Sequence, residues 1–191
     1  MLYRNRLAAA AAVTFAAACL SARPAAGQMS HDMGKPVAEA TADITGQGIT
    51  GTATLTEYEH GAGRVVHVHL VASGLTPGLH GVHLHAVGKC EPAFTAAGGH
   101  FDPGPAGNTD PDANHPFHMG DLPNLNVGPD GKGELEAVTT RVTVSDSPVS
   151  LFDADGAAVI IHGNPDQGIT GEPKSGVSGG PRVACGVLHR K

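Results

Sequence analysis

Short runs of alternating apolar and polar residues, separated by glycine and proline, recur from residue 44 to the end of the chain. They cover residues 51–58, 64–72, 133–138, 140–144, 157–162 and 182–188, and none of them has a helical period. With 27 Gly and 14 Pro among 191 residues, turns are abundant. The pattern predicts an all-β sandwich or barrel, and the length favours one domain with a sizeable core.

Histidines are concentrated in the same region. His83 and His85 lie two residues apart in an apparent strand, so both imidazoles face one side. His118 and Asp121 follow a stretch rich in Pro, Gly, Asn and Asp, which indicates a loop. His162 ends an apolar run that is typical of a buried strand. Imidazoles suit copper or zinc better than calcium or magnesium, so the sequence predicts a copper or zinc site.

Five short phrases occur in a fixed order along the chain. They are HGVHLH at residues 80–85, GGHF at 98–101, HMGDL at 118–122, IHGNPD at 161–166 and RVACGV at 182–187. Together they resemble the copper/zinc superoxide dismutase family in its secreted bacterial form, over roughly residues 45 to 188. The resemblance implies a Greek-key β-sandwich or flattened barrel of about eight strands. Two long active-site loops would cover residues 88–126 and 162–181.

The same resemblance implies the dismutation of superoxide to oxygen and hydrogen peroxide, with copper and zinc as cofactors. The implied copper ligands are His83, His85, His100 and His162. His100 would also bridge copper to zinc and act as the proton carrier, and His118 and Asp121 match two further zinc ligands.

Four other residues match supporting positions of the family. Arg182 matches the arginine that guides and holds the anion, and Lys174 is the best second source of positive charge. Asp166 matches a carboxylate that links a copper histidine with a zinc histidine. His80 matches a histidine that braces the loops.

One zinc histidine of the family is missing at its expected place, where residues 108–110 read NTD. The replacement candidates are His115, Asp110 and Asp112. His115 is favoured because it keeps the donor type and lies three residues before His118. The alternatives are a three-ligand zinc site or a copper-only dismutase. Other classes remain open as well: a periplasmic copper-binding or copper-delivery protein without turnover, and a sandwich that holds a structural zinc.

The N-terminal segment has the composition of a secretory signal peptide over residues 1–27, with Arg4 and Arg6 before an apolar stretch. That stretch is too short for a good membrane span. We therefore expect a periplasmic or extracellular protein, with a lipid anchor at Cys19 as the alternative. Cys90 and Cys185 would remain, and they predict a disulfide, with two buried thiols as the alternative. The resemblance implies the same pairing.

The rest of the chain carries simpler predictions. Residues 28–43 lack periodicity and predict a flexible arm before a domain over 44–191. The net charge of -6 argues against a nucleic-acid partner, and a homodimer is compatible with the family. His67 and His69 share one strand face and are assigned to surface imidazoles. Glu57 and Glu59 are assigned to a solvent-facing strand edge.

Overall fold

A computed structural model describes residues 34–104 and 110–191. The predicted signal peptide over residues 1–27, its Cys19 and positions 108 and 109 lie outside the described residues. Within the described ranges, no helix has the length and apolar character that a membrane crossing requires.

Ten β-strands and one short 3-10 turn make up the described part of the chain, which confirms the all-β prediction. The strands are β1 (Lys35–Gly46), β2 (Ile49–His60), β3 (Gly63–Ser73), β4 (Gly78–His80), β5 (Val82–His85), β6 (Leu125–Val127), β7 (Lys132–Thr139), β8 (Ala158–His162), β9 (Arg182–Val187) and β10 (His189–Arg190). The 3-10 turn covers Thr95–Ala97.

All strand pairings between these elements are antiparallel, and the order across the sheet is β4-β6-β7-β3-β2-β1-β9-β8-β5, with β10 beside β1. The two ends of this order, β4 and β5, are separated in the chain only by Gly81. The sheet therefore curls into a nearly closed barrel. β1 to β3 form a meander and β9 returns beside β1, which is a Greek-key arrangement.

Two predictions about local structure were wrong. β1 begins at Lys35, so the second half of the predicted arm belongs to the sheet. Its small apolar residues Ala40 and Ala42 alternate into the core, a weak signal because alanine is not typical of strands. The predicted strand over residues 140–144 is a loop with one isolated bridge at Thr143.

The prediction that Glu57 lies at a solvent-facing strand edge was also wrong, because Glu57 is fully buried. Its contacts explain in part why residues 140–144 do not form a strand. Its carboxylate accepts hydrogen bonds from the backbone N–H groups of Val144 and Ser145, at 2.8 and 2.6 Å. The Ser145 hydroxyl and the Arg64 guanidinium also donate to it. The backbone at residues 144–145 is thus satisfied by a side chain and not by a neighbouring strand.

The two faces of β5 and β8 have different neighbours. Val82, Leu84, Val159 and Ile161 pack into the main core. On the opposite face, Ala158 and Ile160 pack with Cys185 in a smaller apolar cluster. The predicted Cys90–Cys185 disulfide is confirmed, with the two Cα atoms 5.7 Å apart. It ties the loop over residues 88–126 to β9, so this loop covers the outer face of β5 and β8.

Candidate metal centre

A group of four buried histidines lies on that covered face. β5 supplies His83 and His85, the end of β8 supplies His162, and the loop supplies His100 through an isolated bridge to His85. One ring nitrogen of each lies within 4.8 Å of the others, and all four side chains are buried. The sequence-predicted copper ligands are therefore brought together, three of them by strand positions alone.

A second group shares His83 and His100 with the first and adds His115 and Asp121, with donor atoms again within 4.8 Å of one another. Asp121 Oδ1 lies 2.7 Å from His100 Nδ1. Its Oδ2 lies 3.2 Å from His118 Nδ1 and 3.3 Å from His115 Nδ1. Three imidazoles thus converge on one carboxylate, which is a nitrogen and oxygen donor set suited to zinc.

Six buried imidazole nitrogens in the described part of the chain have no hydrogen-bond partner. They are Nδ1 of His83 and His115, and Nε2 of His85, His100, His118 and His162. Buried polar atoms in proteins are nearly always satisfied, so six orphans in one cluster call for a further partner. The donor set therefore fits bound metal ions.

Hydrogen bonds set which nitrogen of each ring is free. His85 Nδ1 donates to the Gly98 carbonyl and His162 Nδ1 donates to the Gly180 carbonyl, which leaves Nε2 of both rings available. Asp166 accepts from His83 Nε2 at 2.9 Å and from His115 Nε2 at 2.6 Å, which leaves Nδ1 of both rings available. Each imidazole is thereby oriented with its other ring nitrogen toward its group.

The Asp166 contacts also bear on the missing zinc histidine. His115 lies in the second group and shares Asp166 with His83, so one carboxylate links the two groups. The carboxylates of the other two candidates accept hydrogen bonds from the loop backbone. Asp110 accepts from the N–H groups of residues 112 and 113, and Asp112 accepts from those of Gly176 and Ser178.

Burial and neighbouring charges shift the pKa values of the histidines in the centre in opposite directions. Burial lowers the pKa of both His83 and His85. It also lowers the pKa of His100 to about 4 and the pKa of His162 to about 3. These imidazoles are neutral and free to bind a metal at neutral pH.

The pKa of His115 moves the other way. Burial alone would lower it, but the negative charges of Asp121 and Asp166, together with the hydrogen bond to Asp166, raise it to about 9. Burial would raise the pKa of either carboxylate, yet the hydrogen bonds from the histidines hold both pKa values well below the usual range. Before metal binds, His115 is therefore protonated, and a metal that binds there displaces its proton.

Three residues that sequence reasoning missed hold the loop ligands. A Cβ atom on Gly120 would lie 2.2 Å from the Leu84 carbonyl, so only glycine allows the loop to lie against β5. Arg141 donates to the carbonyls of His118, at 2.8 Å, and Asp121. Asn124 exchanges two hydrogen bonds with the backbone of Asp166. Of these three residues, only Gly120 could have been found from the sequence, because it lies between His118 and Asp121. The contacts of Arg141 and Asn124 join segments that are distant in the chain.

The second long loop, residues 162–181, forms one wall of a cleft of about 240 Å³ lined by His162, Lys174 and Arg182, among others. Arg182 donates from Nη1 to the Phe94 carbonyl at 2.7 Å and from Nη2 to the Gly98 carbonyl at 2.5 Å. Asp112 holds the loop from the other side through Gly176 and Ser178. The cleft thus places two cationic side chains beside a histidine of the first group.

His80 lies beneath this arrangement and donates from Nδ1 to the His162 carbonyl at 2.7 Å. Its Nε2 lies 2.8 Å from the Thr76 carbonyl. His80 is thus absent from both donor groups and braces the end of β8.

Comparison with known sequences and structures agrees with this geometry. The profile for "Copper/zinc superoxide dismutase (SODC)" matches residues 49–188. The chain belongs to the copper/zinc superoxide dismutase family. A relative from Deinococcus radiodurans named "Superoxide dismutase [Cu-Zn]" is 40% identical over 169 residues, which is 82% of this chain and 86% of the relative.

A second relative with that name, from Caulobacter vibrioides, is 40% identical over 144 residues, or 72% of this chain and 77% of the relative. Among solved structures, a SOD-like protein from Bacillus subtilis is 30% identical with a TM-score of 0.62. That alignment covers 78% of this chain and 97% of the Bacillus protein. Family membership therefore extends through the strands and both loops of the centre.

Proposed function

We propose that this chain is a superoxide dismutase that converts superoxide to oxygen and hydrogen peroxide at a copper ion next to a zinc ion. The copper ligands in this proposal are His83, His85, His100 and His162. The zinc ligands are His100, His115 and Asp121 of the second group, together with His118, which lies outside that group but has its Nδ1 3.2 Å from Asp121. The observation that carries the proposal is that both buried donor groups share His83 and His100, and that of these two only His100 also contacts Asp121, at 2.7 Å.

Copper, when bound, can exchange one electron, whereas zinc keeps a single oxidation state. His100 is the proton carrier of the proposal. Its Nδ1 lies against Asp121 and its Nε2 has no hydrogen-bond partner among the described residues. Nε2 is therefore the atom that takes up a proton and then releases it to the product.

The substrate is an anion, whereas the chain carries a net charge of -6. Attraction therefore requires a local positive potential. Arg182 and Lys174 supply it in the cleft that His162 also lines. Two carbonyls fix one edge of the Arg182 guanidinium, which orients this permanent charge in the cleft.

The position of His115 supports the two-metal reading over a copper-only dismutase. It supplies the imidazole that the family pattern has near residue 108 and this chain lacks, and its link to His83 through Asp166 couples the two sites. Arg182 in the same cleft as His162 supports an enzyme over a copper-delivery protein. The leader composition supports export to the periplasm, and a homodimer stays a prediction.

The test is to purify the mature chain with its metals and to measure copper, zinc and superoxide turnover on one sample. We expect one copper and one zinc per chain, loss of copper and turnover in His162→Ala, and loss of zinc with retained copper in His115→Ala. His189→Ala, which removes an exposed histidine on β10, is the matched control and should change neither.

Two results would contradict parts of the proposal. Copper without turnover in the unaltered chain would move the protein to the copper-binding class. Zinc that persists in His115→Ala would remove His115 from the ligand set.

A further inference from the structure

Two histidines and two glutamates converge on the outer face of the barrel, away from the buried centre. His67 and His69 lie on β3, Glu134 and Glu136 lie on β7, and the strand register places His69 directly opposite Glu136. Their neighbours Val66, Val68, Leu70, Leu135 and Ala137 point into the core. The four polar side chains therefore share the solvent-facing side of two adjacent strands.

The donor atoms of this cluster lie close enough for one ion to reach all three residues. His69 Nε2 is hydrogen-bonded to Glu134 Oε1 at 2.8 Å, a contact that a bound ion would replace, and lies 3.7 Å from Glu136 Oε1. With zinc–ligand bonds of about 2.0–2.1 Å, donor atoms in a tetrahedral site lie roughly 3.3 Å apart. The two observed distances bracket this value, and the donor atoms of the three residues all lie within 4.8 Å of one another.

His67 supports the cluster through the other carboxylate oxygen, because its Nε2 contacts Glu136 Oε2. That contact leaves Glu136 Oε1 aimed at His69. At metal sites, a second side chain often orients a ligating carboxylate in this way.

Charge on this face also favours a cation. Glu134 and Glu136 lie two residues apart on one side of β7, so two carboxylates face solvent side by side and attract a cation.

We propose that His69, Glu134 and Glu136 are the ligands of an additional metal site on the surface, that this site binds Zn²⁺, and that His67 orients Glu136. One imidazole with two carboxylates suits Zn²⁺ better than Cu⁺, which prefers sulfur, or Ca²⁺, which prefers oxygen alone. The site shares no residue with the buried centre and does not depend on the proposed dismutase activity.

The test uses the mature protein with its buried centre already loaded with copper and zinc. Samples are dialysed against micromolar zinc, and zinc per chain is measured by elemental analysis. The unaltered protein should hold one more zinc than the His69→Ala variant. A Glu134→Gln, Glu136→Gln double variant should lose the same ion, which ties the loss to the donor atoms.

The matched control is His60→Ala, which removes an exposed histidine at the end of β2 outside the cluster. It should keep the additional zinc, and superoxide turnover should be equal in all four proteins. Equal zinc content in the unaltered protein and His69→Ala would overturn the proposal. A loss of the same size in His60→Ala would overturn it too.

Discussion

The two halves of the buried centre are built in different ways. His83, His85 and His162 come from adjacent antiparallel strands, and the pairing of His83 with Ile160 fixes their relative positions. His115 and His118 come from a loop without regular structure. Strand ligands are held by the register of the whole sheet, whereas loop ligands depend on a few specific contacts. We therefore expect the zinc half to be the more easily disturbed.

The largest expected effect comes from Gly120→Ala, which attacks the contact between the loop and β5. The added methyl group would lie 2.2 Å from the Leu84 carbonyl, so the loop must move away from the strand. Overpacking of this kind costs about 1–3 kcal/mol. We expect a strong loss of bound zinc and a lower melting temperature, with most copper retained because β5 still pairs with β8.

Gly63→Ala is the matched control for that substitution. The nearest atom to its added Cβ would be the His60 carbonyl oxygen at 3.8 Å, an ordinary contact. This variant should keep both metals. Equal loss of copper and zinc in Gly120→Ala would show that the two halves are not held independently.

A smaller effect is expected for Asp166→Asn, which keeps the shape of the side chain and removes one acceptor. Asp166 is the hydrogen-bond partner of Nε2 in both His83 and His115. Loss of such a carboxylate typically lowers metal affinity about 10- to 100-fold. Zinc affinity should fall more than copper affinity, because β5 still positions His83 while His115 has no strand to hold it.

Competition with a chromophoric chelator measures both affinities on the same protein. Asp146→Asn is the control, since Asp146 is an exposed carboxylate that pairs with Arg190, and neither residue belongs to a donor group of the centre. A fall in copper affinity as large as that for zinc would contradict the distinction between strand and loop ligands.

The smallest effect on the centre is expected for Glu57→Gln, which changes a buried residue of the barrel away from both groups of metal ligands. Burial would raise the pKa of Glu57, but hydrogen bonds from Ser145, Val144 and Arg64 outweigh it and lower the pKa. A folded pKa below the unfolded value of about 4.3 means that this stabilisation is complete above that pH. It is lost as pH falls through the folded pKa.

We expect Glu57→Gln to reduce the free energy of unfolding at neutral pH by about 1–2 kcal/mol, because glutamine keeps one oxygen acceptor but loses the charge that strengthens these hydrogen bonds. The difference from the unaltered protein should shrink as pH falls below about 4. Denaturant unfolding across this pH range measures it, with Glu59→Gln, an exposed neighbour on β2, as the control. A difference that grows on acidification would mean that the sign of the pKa shift is wrong.

The predictability of the centre follows the same division. His83, His85 and His162 could be placed from alternation and strand ends, because a strand fixes the direction of each side chain. His118 and Asp121 could be named as a loop pair, and the family phrases added His100. His115 could be favoured over Asp110 and Asp112 only by its donor type and its spacing to His118, because no strand fixes the direction of its side chain. Its place beside Asp121 depends on Asp166, which lies 51 residues away.

Glu57 and Ala40 show the same limit within the barrel. Periodicity assigns a strand face, but it does not tell which face is buried when the residues are charged or small. Glu57 can lie at a core position because Val144 and Ser145, distant in the chain, donate hydrogen bonds to its carboxylate.

The sequence by itself determined the all-β class, the Cys90–Cys185 pairing and the strand-borne histidines, because alternation, cysteine count and residue spacing are local properties. Tertiary structure alone decided which loop histidine joins Asp121 and where the loop lies against β5. It also decided that surface residues of β3 and β7 converge. Those outcomes depend on contacts between segments distant in the chain, and only the closed sheet brings such segments within hydrogen-bond distance.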